Sequence, residues 1–167
     1  MEALIRLFGD VCRLKKGPQN VPSSMNLLII LLIANFVVES FLGLSVYSFG
    51  ASVLLASLSI FSLLIFTWFW LMMFKLSHRF IQTAIAFGGV SLFTNILCFL
   101  PIAFLWKMGV MSDDSFGLFN LILIFWILSI YAHIYKNALN VSFFLGFALS
   151  ITYFITFNTL SIKILGV

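Results

Sequence analysis

Residues 24–75 read SMNLLIILLIANFVVESFLGLSVYSFGASVLLASLSIFSLLIFTWFWLMMFK, and this stretch decides the fold. Between Met25 and Phe74 it holds a single charged residue, Glu39. Two apolar runs meet at a weak break, residues 48–50 (SFG). Because about 20 apolar residues are enough to cross a bilayer core, the stretch predicts two transmembrane helices joined by a tight turn.

The composition extends this prediction to the whole chain. Its 167 residues are 63% hydrophobic and 8% charged, and the mean hydropathy is +1.20. Soluble domains have about a quarter of their residues charged, so this chain could not maintain a soluble surface, and a polytopic membrane protein is expected. The length suits about five spans. The first apolar run is too long for the core of a cleavable secretion signal, so we expect none.

The pattern divides the chain into two parts. Residues 1–20 form an amphipathic interfacial helix and linker, and residues 21–167 form an all-α transmembrane domain. The five predicted spans are residues 25–47, 51–74, 80–106, 116–135 and 141–162. Pro101 should kink or terminate the third span, because proline lacks the backbone N–H that a helix interior needs.

Residues 2–16 have the pattern of an amphipathic helix, with apolar side chains on one face and charges on the other. The segment is too short to span a bilayer, so we expect it to lie in the headgroup plane with its basic end near anionic lipid. The predicted lipid contacts are Arg6, Arg13, Lys15 and Lys16. The alternative is a helix packed against the cytosolic face of the protein itself.

The distribution of basic residues predicts the orientation. With five spans, one side of the membrane collects Arg6, Arg13, Lys15, Lys16, Lys75, Arg79 and Lys136. The other side has only Lys107 and Lys163. Cytoplasmic loops carry the excess of Lys and Arg, so the N-terminus should be cytoplasmic and the C-terminus on the opposite side.

Glu39 is the residue with the largest expected cost of insertion. A carboxylate at mid-depth costs a few kcal/mol, so it should face the bundle or be protonated. Asn35, Glu39 and Gly43 share one helical face, which could meet polar groups of other spans. The predicted intramembrane polar cluster is Asn35, Glu39, Asn95, Asn120 and Asn158. Glu39 would either join helices by hydrogen bonding or form a proton or cation site.

Small residues at four-residue spacing predict close helix packing, because they let two helix backbones approach. The predicted packing positions are Gly43, Ala84, Gly88, Ser91, Gly146 and Ser150. The spacing leaves open whether these seams form within one chain or between chains.

No pattern indicates an enzyme, and no catalytic residue or cofactor is expected. His78 and His133 lack the third ligand that a zinc site requires, so no metal site is predicted either. Cys12 and Cys98 should be free thiols. The basic residues lie close to the membrane rather than on one face, so nucleic acid is not an expected partner.

Several features together resemble one family of membrane proteins. They are residues 78–83 (HRFIQT) at the entry to the third span, Gly88-Gly89 within it, Pro101 near its end, and the span around Trp126 followed at once by the span around Ser142. The chain resembles the Yip family, small Ypt/Rab-interacting proteins with five helices, which has bacterial members. Eukaryotic members have a long N-terminal domain with an acidic segment that is lacking here. This difference argues against a Rab-type partner and favours a bacterial inner membrane.

The resemblance implies a non-enzymatic protein of membrane organisation, trafficking or assembly. Its expected partners are the lipid bilayer, and also other membrane proteins or further copies of the chain. The alternative is a small transporter or channel subunit in which Glu39 is a protonatable intramembrane site.

Overall fold

The structure, a computed structural model, describes residues 2–165, and these form helices and turns without a strand. Five of the helices are long and apolar enough to cross a membrane, as the sequence predicted. The chain is therefore an all-α membrane protein with five transmembrane helices. The α-helices are α1 (Glu2–Cys12), α2 (Met25–Gly43), α3 (Phe49–Met73), α4 (Phe80–Thr94), α5 (Leu100–Lys107), α6 (Asp113–Leu139) and α7 (Phe143–Leu165).

Short polar signals set the helix ends. The Ser24 hydroxyl accepts a hydrogen bond from the Leu27 N–H at 3.4 Å and caps α2. Ser112 caps α6 in the same way, and the acidic side chains of its first turn favour the positive end of the helix dipole. Asn140 has φ 55°, a left-handed conformation that stops α6. These caps place both ends of α6 outside the predicted range 116–135.

Pro101 does not end the third span, which runs from Ser77 to Lys107. Instead, residues Asn95–Phe99 form a π-turn that joins α4 to α5. The Leu100 N–H bonds to the carbonyl of Asn95, five residues earlier. Since a proline ring clashes with the carbonyl four residues before it, the wider turn lets the helix continue through the proline.

The third span is the centre of the bundle. Every residue from Thr83 to Val90 is buried, and α4 packs against α1, α2, α3 and α6. The ring of Phe87 lies between Tyr131 and Tyr135 of α6, with ring centroids 4.7 and 4.9 Å away. The other main helix–helix contacts are between α2 and α3 and between α6 and α7. The core therefore depends on one helix that contacts both pairs.

The apolar face of α1 packs against this central span. Phe8, Val11 and Cys12 are buried, and the Phe8 ring fills the space where a side chain on Gly89 would lie. The helix therefore packs against a transmembrane span of the protein itself, and the cytosolic location of α1 stays a prediction. Burial raises the pKa of the Cys12 thiol to about 11, so this free cysteine is held in its unreactive form.

The charged face of α1 remains accessible. Arg6 is exposed and bonds to Glu2 at 2.6 Å, and Arg13 and Lys15 are also exposed. Lys16 forms an ion pair with Asp10 at 2.9 Å. The hydrogen bond from Lys16 lowers the pKa of the Asp10 carboxyl.

Candidate intramembrane polar site

Asn35 joins α2 to α4 through its side-chain amide. Its Nδ2 donates to the carbonyl of Leu31 and to the carbonyl of Gly88, each at 2.8 Å. The side chain is 2% exposed, and its Oδ1 has no hydrogen-bond partner among the residues that the structure describes. A Cβ on Gly88 would lie 3.7 Å from Asn35 Nδ2, an ordinary van der Waals contact, so an alanine would also fit here.

Glu39 lies one helical turn beyond Asn35 and faces the same neighbour. The Ser91 hydroxyl donates to Glu39 Oε1 at 3.3 Å, and Asn95 Nδ2 donates to the same hydroxyl at 3.4 Å. No Lys, Arg or His within residues 2–165 forms an ion pair with Glu39. The half-buried carboxyl therefore accepts a hydrogen bond from Ser91 and has no counter-charge among the described residues.

A small cavity of about 30 Å³ opens beside these two residues. Asn35 and Glu39 line it from α2, Ser59 and Thr67 from α3, Ser91 from α4 and Tyr131 from α6. Its volume is enough for one or two water-sized occupants. The polar residues that line it carry carboxyl, amide or hydroxyl groups.

Two larger cavities continue from this one. The first, of about 230 Å³, shares Ser59, Ser91 and Tyr131 with the small cavity. The second, of about 240 Å³, shares Asn95 and Phe99 with the first. It extends to Ser45, just past the end of α2, and to Phe116, near the start of α6. The three cavities thus lie next to one another, from Asn35 and Glu39 towards one end of the bundle.

The predicted cluster is brought together in part. Asn35, Glu39 and Asn95 meet through Gly88 and Ser91. Asn120 bonds to the Phe116 carbonyl of its own helix at 2.9 Å, but it lines the same cavity as Asn95. Asn158 lies apart from the cluster. It is exposed and donates to the carbonyl of Phe154, because rotation of α7 turns this face outwards.

Sequence reasoning missed the tyrosines around the site. Tyr135 OH lies 3.4 Å from Thr67 Oγ1, and Tyr153 OH donates to the Ser59 carbonyl at 3.4 Å. Tyr131 lines both cavities that border Glu39 and Ser91. The one available signal was that all four tyrosines in the sequence lie within predicted spans, where a phenol needs a polar partner.

The predicted small residues form seams within the chain. Gly43 packs against Ser52 of α3, and a Cβ there would lie 3.2 Å from the Ser52 Cα. Gly146 lies against the α6 backbone, and a Cβ at this position would overlap the Ala132 carbonyl. Ser150 donates to the carbonyl of Leu128, 3.1 Å away on α6. The other three predicted positions, Ala84, Gly88 and Ser91, line the small cavity on α4.

The histidines lie away from this site. His78 is exposed, and His133 Nε2 lies 3.2 Å from the carbonyl of Lys16. Within residues 2–165, no group of three His, Cys, Asp or Glu side chains could hold a metal ion. The chemistry available at the Glu39 site is therefore that of one carboxyl among neutral oxygen ligands.

The fold and the site define the class, a polytopic α-helical membrane protein with a buried acidic site. Comparisons of this chain with protein-family models, curated proteins and solved structures found no match.

Proposed function

We propose that the chain is a non-enzymatic membrane protein that acts in membrane organisation or assembly, through helix packing and lipid contact. The observation that carries this proposal is the position of the basic end of α1. The Lys16 carbonyl lies beside His133, and Gly17 packs against Asn137, both near the end of α6. Arg13 and Lys15 are exposed at this end of the bundle, where anionic headgroups could bind them.

The third span is longer than the hydrocarbon core of a bilayer, and α1 packs along it. Its 31 residues extend roughly 46 Å at 1.5 Å per residue, more than the ~30 Å of a hydrocarbon core. Part of the span must lie outside this core or the helix must tilt. Phe8 packs on Gly89, next to the contact between Asn35 and Gly88, whereas Lys16 lies at the end of α6. The charges that follow α1 can therefore lie in the interface.

The same charges support the proposed orientation. Lys75, Arg79 and Lys136 lie at the end of the bundle occupied by Lys16, whereas Lys107 and Lys163 lie at the other end. Under the positive-inside rule the first end is cytoplasmic. A bacterial inner membrane is the proposed location, in line with the Yip-type resemblance. A reporter enzyme fused at the C-terminus should be active only outside the cytoplasm, and cytoplasmic activity would contradict this topology.

Lipid contact is tested with the full-length protein in mixed micelles. Arg13→Gln with Lys15→Gln should weaken binding of phosphatidylglycerol about 30-fold, since each basic residue near a membrane surface contributes ~1 kcal/mol. Binding should also weaken with added salt. The matched control, Lys107→Gln with Lys163→Gln, removes the same charge from the other end and should leave the affinity unchanged. Equal losses in both double variants would refute lipid binding at this end of the bundle.

A second candidate is a small transporter or channel subunit, and the unpaired carboxyl of Glu39 favours it. A charged residue at the centre of a span costs ~2.5–3.5 kcal/mol. An interhelical hydrogen bond contributes on average only ~0.6 kcal/mol. The bond from Ser91 at 3.3 Å therefore does not offset the cost of an ionised carboxyl. A glutamine would join the helices at lower cost, so the acid itself calls for a functional explanation.

A further inference from the structure

We infer that the small cavity beside α2 is a binding site for one monovalent cation, with Glu39 as its charged ligand and Asn35 Oδ1 as a neutral ligand. This inference deepens the transporter-or-channel candidate by giving Glu39 a ligand. The site can be tested by measuring ion binding alone, without a transport assay. Sodium is the probe that we name for it.

The amide of Asn35 is held in one orientation. Both of its N–H groups are used, one by the Leu31 carbonyl and one by the Gly88 carbonyl, each at 2.8 Å. If the amide were flipped, its oxygen would lie against the carbonyl oxygens of Leu31 and Gly88, which is unfavourable. Oδ1 therefore points away from both carbonyls. There it is buried without a partner, in a residue that lines the cavity. An unsatisfied buried acceptor costs about 1–3 kcal/mol, and a bound cation would satisfy it.

The charges around the cavity favour a single positive charge. Glu39 is the only acidic residue that lines it, and no basic residue of the described part of the chain does so. One carboxylate neutralises one monovalent ion, whereas a divalent ion would keep an uncompensated charge within the membrane. Carboxylate, amide and hydroxyl oxygens are the ligands that hard cations prefer. Ser59 and Ser91 supply hydroxyls from the two neighbouring helices.

The size and connections of the cavity also suit a small ion. Its volume of about 30 Å³ has room for one or two water-sized species. The adjoining cavities, of about 230 and 240 Å³, lead past Asn95 to the ends of α2 and α6. On the opposite side, the buried Phe87 ring packs against Tyr131 and Tyr135. An ion would therefore enter from the Phe116 end of the bundle.

The test measures Na⁺ binding to the purified full-length protein at fixed pH, with choline chloride keeping the ionic strength constant. Radioactive Na⁺ should bind at about one ion per folded chain. Saturating Na⁺, at a hundred times Kd, should raise the midpoint of thermal unfolding by roughly 5–10 °C. Glu39→Gln keeps the size of the side chain and removes its charge, so it should lose at least 90% of the bound Na⁺.

Two control variants separate the site from general effects. Asp114→Asn removes an exposed acid at the start of α6 and should keep full Na⁺ binding. Asn35→Ala should lose binding, whereas Asn158→Ala removes an exposed amide from another span and should not. Asn35→Ala also loses the bond to Gly88 and could therefore fold less well. Its Na⁺ binding is for this reason measured per chain in the monodisperse fraction from gel filtration. Binding that survives in Glu39→Gln, or a thermal shift that choline reproduces, would overturn the inference.

Flux in proteoliposomes is a separate readout. Sodium binding without ion flux removes the transporter-or-channel candidate and leaves the binding site in place. Proton flux that depends on Glu39 without any Na⁺ binding supports that candidate and overturns the cation site.

Discussion

Replacing Gly146 with Ala is expected to destabilise the protein by about 2–3 kcal/mol, because the new methyl group would overlap the backbone carbonyl of Ala132. The methyl group would also lie 3.2 Å from the backbone nitrogen of Lys136. Backbone atoms of a helix cannot move aside individually, so α6 and α7 would have to separate. Separation would lengthen the bond from Ser150 to the Leu128 carbonyl one turn further along. Thermal unfolding in detergent measures the loss.

Gly117→Ala is the matched control for this prediction. Gly117 also lies within a span, near the start of α6, and a Cβ there meets no atom within 4 Å. Alanine has the higher helix propensity, so this variant should be unchanged or up to ~1 kcal/mol more stable. A comparable loss of stability in both variants would show that Gly146 matters for a reason other than the α6–α7 contact.

Phe87→Ala should cost about 3 kcal/mol by leaving a cavity at the centre of the bundle. The ring is 1% exposed and contacts the rings of Tyr131 and Tyr135. Truncation of a buried Phe costs ~3–5 kcal/mol in soluble proteins. The lower value is expected here because the unfolded reference is also surrounded by apolar lipid, so that lost packing rather than transfer from water dominates.

Phe61→Ala removes the same number of atoms from a lipid-facing position. Phe61 is 64% exposed, and lipid tails can fill the space that its ring leaves. A change within ±0.5 kcal/mol is expected for this variant. If Phe61→Ala destabilised as strongly as Phe87→Ala, the central packing of α4 would not be the source of the effect.

Much of the secondary structure could be predicted from local features. The length and composition of the apolar runs were sufficient to place the five spans. Errors at their ends came from capping. Pro101 was expected to kink or end the third span, and it does not end it, because a π-turn lets the helix continue to Lys107. That outcome depends on neighbouring helices that hold the span in place, which the local sequence does not reveal.

The candidate site was harder to predict, because a span that is apolar all round has no stripe to mark its inner face. Asn35 and Asn158 are both single amides within apolar helices. Asn35 is buried against Gly88, whereas Asn158 is exposed. This difference depends only on the rotation of each helix about its axis. Tyr131 and Tyr153 line a cavity beside the site for the same reason.

The sequence by itself determined that lipid is the solvent, that five helices cross it and that Glu39 is the one acid deep within a span. These properties follow from the length and composition of each run, because a backbone in hydrocarbon must satisfy its hydrogen bonds within its own helix. Only the tertiary structure decided where α1 docks, which amides meet, and that Asn35 and Glu39 line one cavity. Those outcomes depend on helix rotation and on contacts between residues far apart in the chain, and apolar runs carry no local signal for either.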